Sequence, residues 1–403
     1  MNSQPRGSIG AQDFKLLLDT GSSDLWVVSS DCSTSDCRGV PKYQQTPTLN
    51  STSADFHLDY LLGAVSGLIG TETISLGSFE IESQVFAMAN ETEGLALSST
   101  GNSGILGLSF PFEASIPDTS GATLLENLLS PFNDSDRYFA VKLGRDGANS
   151  SFTIGELDPT VADSPSDITY TAVTPFAHNI YDYWKMPLQY LTINSTTFPL
   201  SSSGVPGTSS PIAVFDTGTT LILGPSDDVD RFWQSVGASR KTDDGWQIRC
   251  DRGISIGFVL GEGASQKEYV IDPADLSWMQ GMRDGEWCFG GVQANDGVSS
   301  GDWLLGDTFL RNVYIVHHAA TSDKPPMVGL LGLTDPQGSM HNFRLTRGND
   351  PTGSVSVLTT ATRRGSSLSA AATYSISGAS GFVFGALLTV LLHLCLTRRS
   401  QKF

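Results

Sequence analysis

Two stretches of the sequence repeat one short pattern, and this repeat constrains the fold more than any other feature. Residues 17–22 read LLDTGS, and residues 214–219 read VFDTGT. Each stretch is followed, at nearly the same spacing, by two apolar residues and a glycine, at 105–107 and at 304–306. Self-similarity of this kind is typical of a duplicated structural unit. The sequence therefore predicts two related halves, each with one aspartate on a glycine-containing turn.

The residues around these turns have the pattern of a mostly β protein. Residues 14–30 read FKLLLDTGSSDLWVVSS, where one apolar run enters a Gly/Ser turn and another leaves it, as in strand–turn–strand. Most of residues 55–320 consists of short apolar segments broken by Gly, Pro, Asn and Asp. Residues 122–130 and 226–237 instead have the polar start and the periodicity of short helices. We expect two β domains, at residues 1–165 and 166–333.

The composition is that of a globular protein with an acidic surface. Of the 403 residues, 39% are hydrophobic and 16% are charged, which is enough for two buried cores. The net charge is -18, and phosphate binding needs clustered Lys and Arg, so we expect no nucleic-acid partner. An acidic surface repels itself less as its carboxylates protonate, which favours function in mild acid. Solubility alone would also explain the charge.

The sequence contains five cysteines: Cys32, Cys37, Cys250, Cys288 and Cys395. Cys395 lies in a C-terminal apolar run, and the other four permit three disulfide pairings. The closeness of Cys32 to Cys37 favours a small loop between them, which leaves Cys250 with Cys288. Free buried thiols are the alternative, whereas zinc is disfavoured because no histidine lies nearby at ligand spacing.

Asn-x-Ser/Thr triplets occur in loops rich in Ser and Thr and, together with the cysteines, favour the secretory pathway. We expect glycosylation at Asn50, Asn90, Asn133, Asn149 and Asn194. Residues 1–15 contain no apolar core of a signal peptide. We therefore expect the natural N-terminus to differ from the start of this sequence.

The chain changes character after Leu333. Residues 334–375 are rich in Gly, Ser, Thr and Asn and predict a flexible stalk. Residues 376–396 carry no charged side chain apart from the weakly basic His393 and are long enough to span a bilayer. The tail, 397–403, is basic, which favours the cytoplasmic side. We expect a single-pass anchor in the plasma membrane or a vacuolar or secretory membrane; a GPI anchor near residues 366–370 is the alternative.

One aspartate from each of two similar halves can bring two carboxylates face to face. At a separation of about 3 Å the two cannot both ionise cheaply, so they share a proton. The ionised oxygen can then take a proton from water while the protonated partner polarises a substrate carbonyl. This chemistry needs no metal, cofactor or covalent intermediate. A single DTG triplet would indicate only a turn, but two, with matched triplets downstream, indicate a hydrolytic site.

The chain resembles the pepsin family of aspartic endopeptidases, and most of all its fungal members. The likeness covers roughly residues 7–333 and rests on DFKLLLDTGSSDLWV (13–27), SGILGLSF (103–110), FTIGELD (152–158), AVFDTGTTLILGP (213–225) and WLLGDTFLRNVYIV (303–316). It implies a bilobal β fold whose cleft binds extended peptides, with Asp19 and Asp216 as the catalytic pair. Because both half-sites lie in one chain, we expect a monomer.

The resemblance also implies roles for the residues around this pair. The residues expected to support it are the outer hydroxyl partners Ser22 and Thr219, the bracing Thr20 and Thr217, and the close-approach glycines Gly21 and Gly218. Tyr60 is similar to the flap tyrosine of the family, Trp26 to the tryptophan that holds it by a hydrogen bond, and Ile105 to a wall of the S1 subsite. The pairs Cys32–Cys37 and Cys250–Cys288 match two usual disulfides.

The flap turn and the segment after the last core strand depart from the family pattern. Relatives usually follow the flap tyrosine with Gly, a small polar residue and Gly, whereas this chain has Leu61, Leu62 and Gly63. This predicts a stiffer and more apolar flap turn. In addition, His317 and His318 stand where many relatives carry Phe-Asp.

Two other functions suit a secreted protein of this kind. A surface binding protein could keep the fold with weakened catalysis, but intact Asp19, Ser22, Asp216 and Thr219 favour an active endopeptidase. A hydrolase of another type is disfavoured because the sequence has no HExxH motif, no G-x-S-x-G elbow and no convincing Cys/His pair.

Overall fold

The structure is a computed structural model that describes residues 6–145, 149–278, 286–298 and 300–348. In the first half the strands are β1 (Arg6–Ile9), β2 (Gln12–Asp19), β3 (Leu25–Val28), β4 (Asn50–Asp59), β5 (Ala64–Leu76), β6 (Phe79–Glu93), β7 (Gly104–Gly107), β8 (Tyr138–Lys142) and β9 (Ser151–Ile154). In the second half they are β10 (Thr169–Ala172), β11 (Lys185–Ile193), β12 (Thr196–Phe198), β13 (Ile212–Phe215), β14 (Ile222–Gly224), β15 (Ser239–Thr242), β16 (Gly245–Arg249), β17 (Ile256–Leu260), β18 (Lys267–Ile271), β19 (Ser277–Trp278), β20 (Trp287–Gly290), β21 (Val292–Ala294), β22 (Trp303–Leu305), β23 (Val313–His318) and β24 (Met327–Gly332). The helices are α1 (Leu97–Thr100), α2 (Leu124–Leu129), α3 (Ser226–Val236), α4 (Asp307–Leu310) and α5 (Pro336–Arg347). The prediction of a mostly β, bilobal fold is confirmed.

The first lobe is built on a seven-stranded sheet in the order β1-β2-β7-β3-β6-β5-β4. Strand β7 lies between β2 and β3, parallel to β2 and antiparallel to β3, and places Gly107 beside Asp19. A Cβ atom on Gly107 would come within 2.6 Å of the backbone of the turn that joins β2 to β3. The glycine of the downstream triplet is therefore needed for the turn to pack against the strand.

The second lobe repeats this arrangement, as the duplicated motifs predict. Strand β22 runs parallel to β13 and antiparallel to β14, and sets Leu305 beside Phe215, the residue before Asp216. These strands belong to a sheet that also contains β11, β12, β17, β18 and β21, while β15, β16, β20 and β19 form a smaller sheet. Each aspartate turn thus sits at the end of a strand that is fixed by the same three-strand unit.

A fourth sheet joins the two lobes. Its order is β10-β24-β23-β8-β9, so that strands of the second half pair with strands of the first half through β23 and β8. Above it one continuous hydrophobic core includes side chains from both halves, among them Leu18, Phe139, Trp184, Phe215 and Ile315. Both aspartate turns follow strands that pack in this shared core. Their relative position is therefore fixed by packing rather than by a linker.

The two predicted helices lie within the expected ranges. Helix α2 begins after Thr123, whose hydroxyl accepts a hydrogen bond from the Glu126 N–H while the Glu126 carboxylate accepts one from the Thr123 N–H. A capping box of this kind stabilises a short helix by about 1 kcal/mol. Helix α3 buries Val229, Phe232 and Trp233 on one face.

The structure corrects the predicted stalk, because residues 336–347 of the range 334–375 form helix α5. The Asp335 side chain caps this helix by accepting hydrogen bonds from the N–H groups of Gln337 and Gly338, and Pro336 occupies the first helical position. Phe343 of this helix is buried. The rest of the stalk, the predicted span 376–396 and the tail 397–403 lie outside the described residues. Within the described ranges, no helix is long and apolar enough to cross a membrane.

Both predicted disulfides are present. Cys32 pairs with Cys37 in a small loop of the first lobe, and Cys250 pairs with Cys288 near the smaller sheet of the second lobe. The fifth cysteine, Cys395, lies outside the described residues. All five asparagines of the Asn-x-Ser/Thr triplets are exposed.

Candidate active site

The two aspartate turns face each other across the junction of the lobes and interlock through their threonines. The Thr20 N–H donates to Thr217 Oγ1, and the Thr217 N–H donates to Thr20 Oγ1, both at 3.1 Å. Each hydroxyl in turn donates to a carbonyl oxygen of the opposite lobe, Thr20 to Phe215 at 2.9 Å and Thr217 to Leu18 at 2.7 Å. These four buried hydrogen bonds fix the separation of the two turns.

The Asp19 carboxylate is held by two donors from its own turn. Ser22 Oγ donates to Asp19 Oδ2 at 2.5 Å, and the Gly21 N–H donates to Oδ1 at 2.8 Å. Hydrogen bonds to an ionised carboxylate are stronger than those between neutral groups. The turn therefore fixes the direction of the carboxylate and supports its charge.

The second turn holds Asp216 in the same way. Thr219 Oγ1 donates to Asp216 Oδ2 at 2.6 Å, and the Gly218 N–H donates to Oδ1 at 2.7 Å. The two carboxylates thus have matching support, with one hydroxyl and one backbone amide for each.

Each carboxylate lies directly over the glycine of the opposite turn. A Cβ atom on Gly21 would lie 2.6 Å from Asp216 Oδ1, and one on Gly218 would collide with the Asp19 carboxylate. Any side chain at these two positions would therefore push the carboxylates apart. This close approach is the physical reason for glycine at the third position of both motifs.

Burial and proximity make the pair hard to ionise fully. The pKa of Asp19 is raised well above its ordinary value, first by burial and second by the negative charge of Asp216. The hydrogen bonds from Ser22 and Gly21 act in the opposite direction but do not cancel the effect. Two carboxylates in this arrangement hold one proton between them, and their titration belongs to the pair.

A β-hairpin covers the pair from the first lobe. Strands β4 and β5 meet at the turn from Tyr60 to Gly63, where the Tyr60 N–H donates to the Gly63 carbonyl at 2.9 Å. The indole N–H of the fully buried Trp26 donates to Tyr60 Oη at 2.8 Å. Burial raises the pKa of Tyr60, so its phenol stays neutral. Leu61 at the tip is 51% exposed and lines the cleft, and the stiffness of this turn stays a prediction.

The cleft beneath this hairpin has a volume of about 870 Å³ and contains both carboxylates. Tyr60 and Ile105 line it from the first lobe, whereas Trp26 lies behind this wall, beside Ile105 in the sheet and hydrogen-bonded to Tyr60. Among the residues that the structure describes, no three His, Cys, Asp or Glu side chains are grouped as metal ligands would be.

Three of the cleft residues that sequence reasoning did not find have titratable side chains next to the pair or at the cleft wall: Asp307, Glu113 and Tyr183. Asp307 follows directly on the second apolar-apolar-Gly triplet, lines the cleft, and has its pKa raised to about 7, mainly by burial. Its position directly after a matched triplet could have predicted from the sequence that it lies near the pair. Glu113 and Tyr183 also line the cleft and are joined by a hydrogen bond of 2.9 Å from Tyr183 Oη. They come from separate loops, and no local pattern indicates that these loops meet.

Comparisons with known proteins agree with this geometry. The sequence profile of the eukaryotic aspartyl protease family matches residues 7–324. The chain is 30% identical over 332 residues to major aspartyl peptidase 1 of Cryptococcus neoformans var. grubii, an alignment that covers 76% of this chain and 64% of that protein. It is 28% identical over 325 residues to pepsin A of Sus scrofa, covering 78% and 79% of the two chains. To chymosin of Callithrix jacchus it is 26% identical over 321 residues, covering 79% and 77%.

Proposed function

This chain belongs to the eukaryotic aspartyl protease family and is an aspartic-type endopeptidase, and we propose that it cleaves extended polypeptides in acid with Asp19 and Asp216 as the catalytic pair. One observation carries the assignment of the pair. Each carboxylate is held by one hydroxyl and one backbone amide, and each lies against the glycine of the opposite turn. No metal or covalent intermediate is required.

The proposed reaction starts with one proton on the pair and a water molecule between the two carboxyl groups. The ionised carboxylate takes a proton from the water as its oxygen attacks the scissile carbonyl carbon, and the protonated carboxyl gives its proton to the carbonyl oxygen. The resulting neutral diol then returns one hydroxyl proton to the pair. The other carboxyl protonates the amide nitrogen, the C–N bond breaks, and the pair again holds one proton.

The substrate in this proposal is a peptide strand that lies in the cleft under the β4–β5 hairpin. Tyr60 closes over the reacting bond, and its phenol is held in place by Trp26. The apolar side chains of Leu61, Ile105 and Leu221 line the cleft and favour apolar residues next to the scissile bond. A cleft that binds the chain on both sides of the bond suits an endopeptidase rather than an enzyme that trims termini.

The experiment for this proposal is digestion of a peptide library at several pH values. The pH–rate profile should be bell-shaped with its maximum below neutrality, because the pair needs one proton and the raised pKa of Asp19 retains it above the range of an ordinary aspartate. A peptide with a statyl-type hydroxyl should inhibit, since that group mimics the diol. A rate still rising at pH 8, or loss of activity on addition of a metal chelator, would count against the mechanism.

We also propose that the enzyme is a monomeric glycoprotein of the secretory pathway, anchored through residues 376–396 with its lobes outside the cytoplasm. The five exposed glycosylation triplets and two disulfides support the compartment. The length and apolarity of residues 376–396 support a spanning helix.

The anchor is tested on intact cells that express a C-terminally tagged chain, by treatment with a phosphatidylinositol-specific phospholipase. Release of enzyme that lacks the tag would instead establish the GPI alternative.

A further inference from the structure

Two loops beside the cleft expose an aromatic pair to solvent. Phe112 lies in the loop after β7, and Phe176 lies in the loop between β10 and β11. Their ring centroids are 5.2 Å apart, yet Phe112 is 52% exposed and Phe176 58% exposed. Ile180, whose carbonyl accepts a hydrogen bond from the Phe176 N–H, is 40% exposed. We call these three side chains, Phe112, Phe176 and Ile180, the apolar ledge.

This exposure is unusual within the protein. Seven large hydrophobic side chains are exposed in the described parts of the chain, and the ledge contributes three of them, including both aromatic ones. Single exposed hydrophobic residues are common on protein surfaces and need no explanation. A rigid, contiguous group that contains two aromatic rings is instead typical of a binding surface.

The ledge rests on a rigid base. Beneath it Phe110 packs against Tyr181 and Trp184, with ring centroids 5.7 and 4.3 Å away. Trp184 Nε1 donates to the Leu108 carbonyl, and Ser109 Oγ donates to the carbonyl of Asp182, both at 2.8 Å and both buried. Because the two loops are already joined at this level, burying the outer rings on a ligand would cost little additional ordering.

The ledge also continues the cleft. Glu113, the residue after Phe112, lines the cleft together with Tyr183, and the two side chains are joined by a hydrogen bond of 2.9 Å. A polypeptide that leaves the cleft over the Glu113–Tyr183 pair therefore comes next to Phe112, the first side chain of the ledge. This continuity identifies the occupant as the substrate chain itself.

We propose that the apolar ledge is a docking site for a segment of the substrate beyond the catalytic cleft, and that it selects substrates with a large apolar side chain on that segment. The proposal rests on the proposed endopeptidase function and adds a second determinant of specificity at a distance from the reacting bond. The ledge contributes binding area and takes no part in the chemistry.

The test compares one short peptide that the enzyme cleaves with versions of it extended at the N-terminal or the C-terminal end. Each extension is made twice, once with Phe or Leu residues and once with Ser. Apolar extension at one end should raise kcat/KM about fivefold over the Ser version, chiefly through KM, as expected for burying part of an aromatic ring. Phe176→Ser and Phe112→Ser should bring this ratio close to one.

Leu345→Ser is the matched control, because Leu345 is 72% exposed on α5 and does not line the cleft. It should keep the wild-type ratio. The proposal is overturned if neither extension matters, or if Phe176→Ser lowers kcat/KM equally for short and extended peptides, as a purely structural role predicts. It is also overturned if Phe176→Ser converts a dimer into a monomer in sedimentation, because the ledge would then be covered by a second copy. Failure of the endopeptidase function itself would differ from all of these, since no peptide would be cleaved.

Discussion

His317 is a fully buried imidazole for which neither ring nitrogen has a hydrogen-bond partner among the described residues. Its ring stacks on Phe139, with centroids 4.3 Å apart, and meets the edge of Trp184 at 5.0 Å. Burial alone lowers its pKa to about 3. The sequence shows that histidine replaces a common phenylalanine here, but only the packing shows that it must remain neutral.

This histidine should make the protein less stable in acid. The unfolded state takes up a proton near pH 6.5, whereas the folded state does not until the pH approaches 3, so stability is lost as the pH falls between these values. His317→Phe should remove this loss. The gain in free energy of unfolding of the variant over the wild type should therefore be about 3 kcal/mol larger at pH 4 than at pH 7.5. Denaturant unfolding at both pH values measures the difference. An unchanged pH dependence in the variant would contradict this interpretation.

At the scale of elements, strand β11 carries a buried ion pair next to the strand that leads to the second aspartate turn. Lys185 is 1% exposed and lies beside Val214 of β13 in the sheet register. Its Nζ donates to Asp182 Oδ2 at 2.7 Å and to the Ser300 carbonyl at 2.9 Å. The Lys185 ammonium therefore joins the loop between β10 and β11 to the segment before β22, on a strand that pairs with the one leading to Asp216.

Lys185→Met should destabilise the protein by about 3–5 kcal/mol, because it leaves the Asp182 carboxylate buried without its partner. Adding Asp182→Asn should recover more than half of this loss, since the buried charge is then removed as well. Urea unfolding of the single and double variants gives both numbers. A small effect of the single variant, with no recovery in the double one, would show that the pair is not a buried charge pair in solution.

The flap hairpin depends on the hydrogen bond between Trp26 and Tyr60. Trp26→Phe keeps an aromatic ring at a fully buried position but leaves Tyr60 Oη without its donor. Loss of one such bond is worth about 1 kcal/mol, so we expect kcat/KM to fall about fivefold. Tyr60→Phe should have a similar effect, and the double variant should lose little more. Fully additive losses would show that the two residues act separately.

At the scale of the whole molecule, the duplicated motifs predicted the two lobes, the Asp turns and their supporting hydroxyls. A turn that needs one backbone geometry requires particular residues at particular positions, so a short stretch of sequence is enough to predict it. The features that the sequence did not predict depend on contacts between distant segments. Examples are the hydrogen bond between Tyr183 and Glu113 and the apolar ledge. Helix α5 was missed because its sequence is polar and only Phe343 is buried, although Asp335 before Pro336 is a recognisable start signal.

The central claim is that each lobe supplies one carboxylate and that neither alone suffices. Asp19→Asn and Asp216→Asn test it most directly, with peptide cleavage measured at the acid optimum and the fold monitored by circular dichroism and thermal unfolding. An amide cannot exchange the proton that the pair must pass between water and substrate. Each variant should therefore fold as the wild type does and lose at least about a thousandfold in kcat. Activity near that of the wild type in either folded variant would contradict the account.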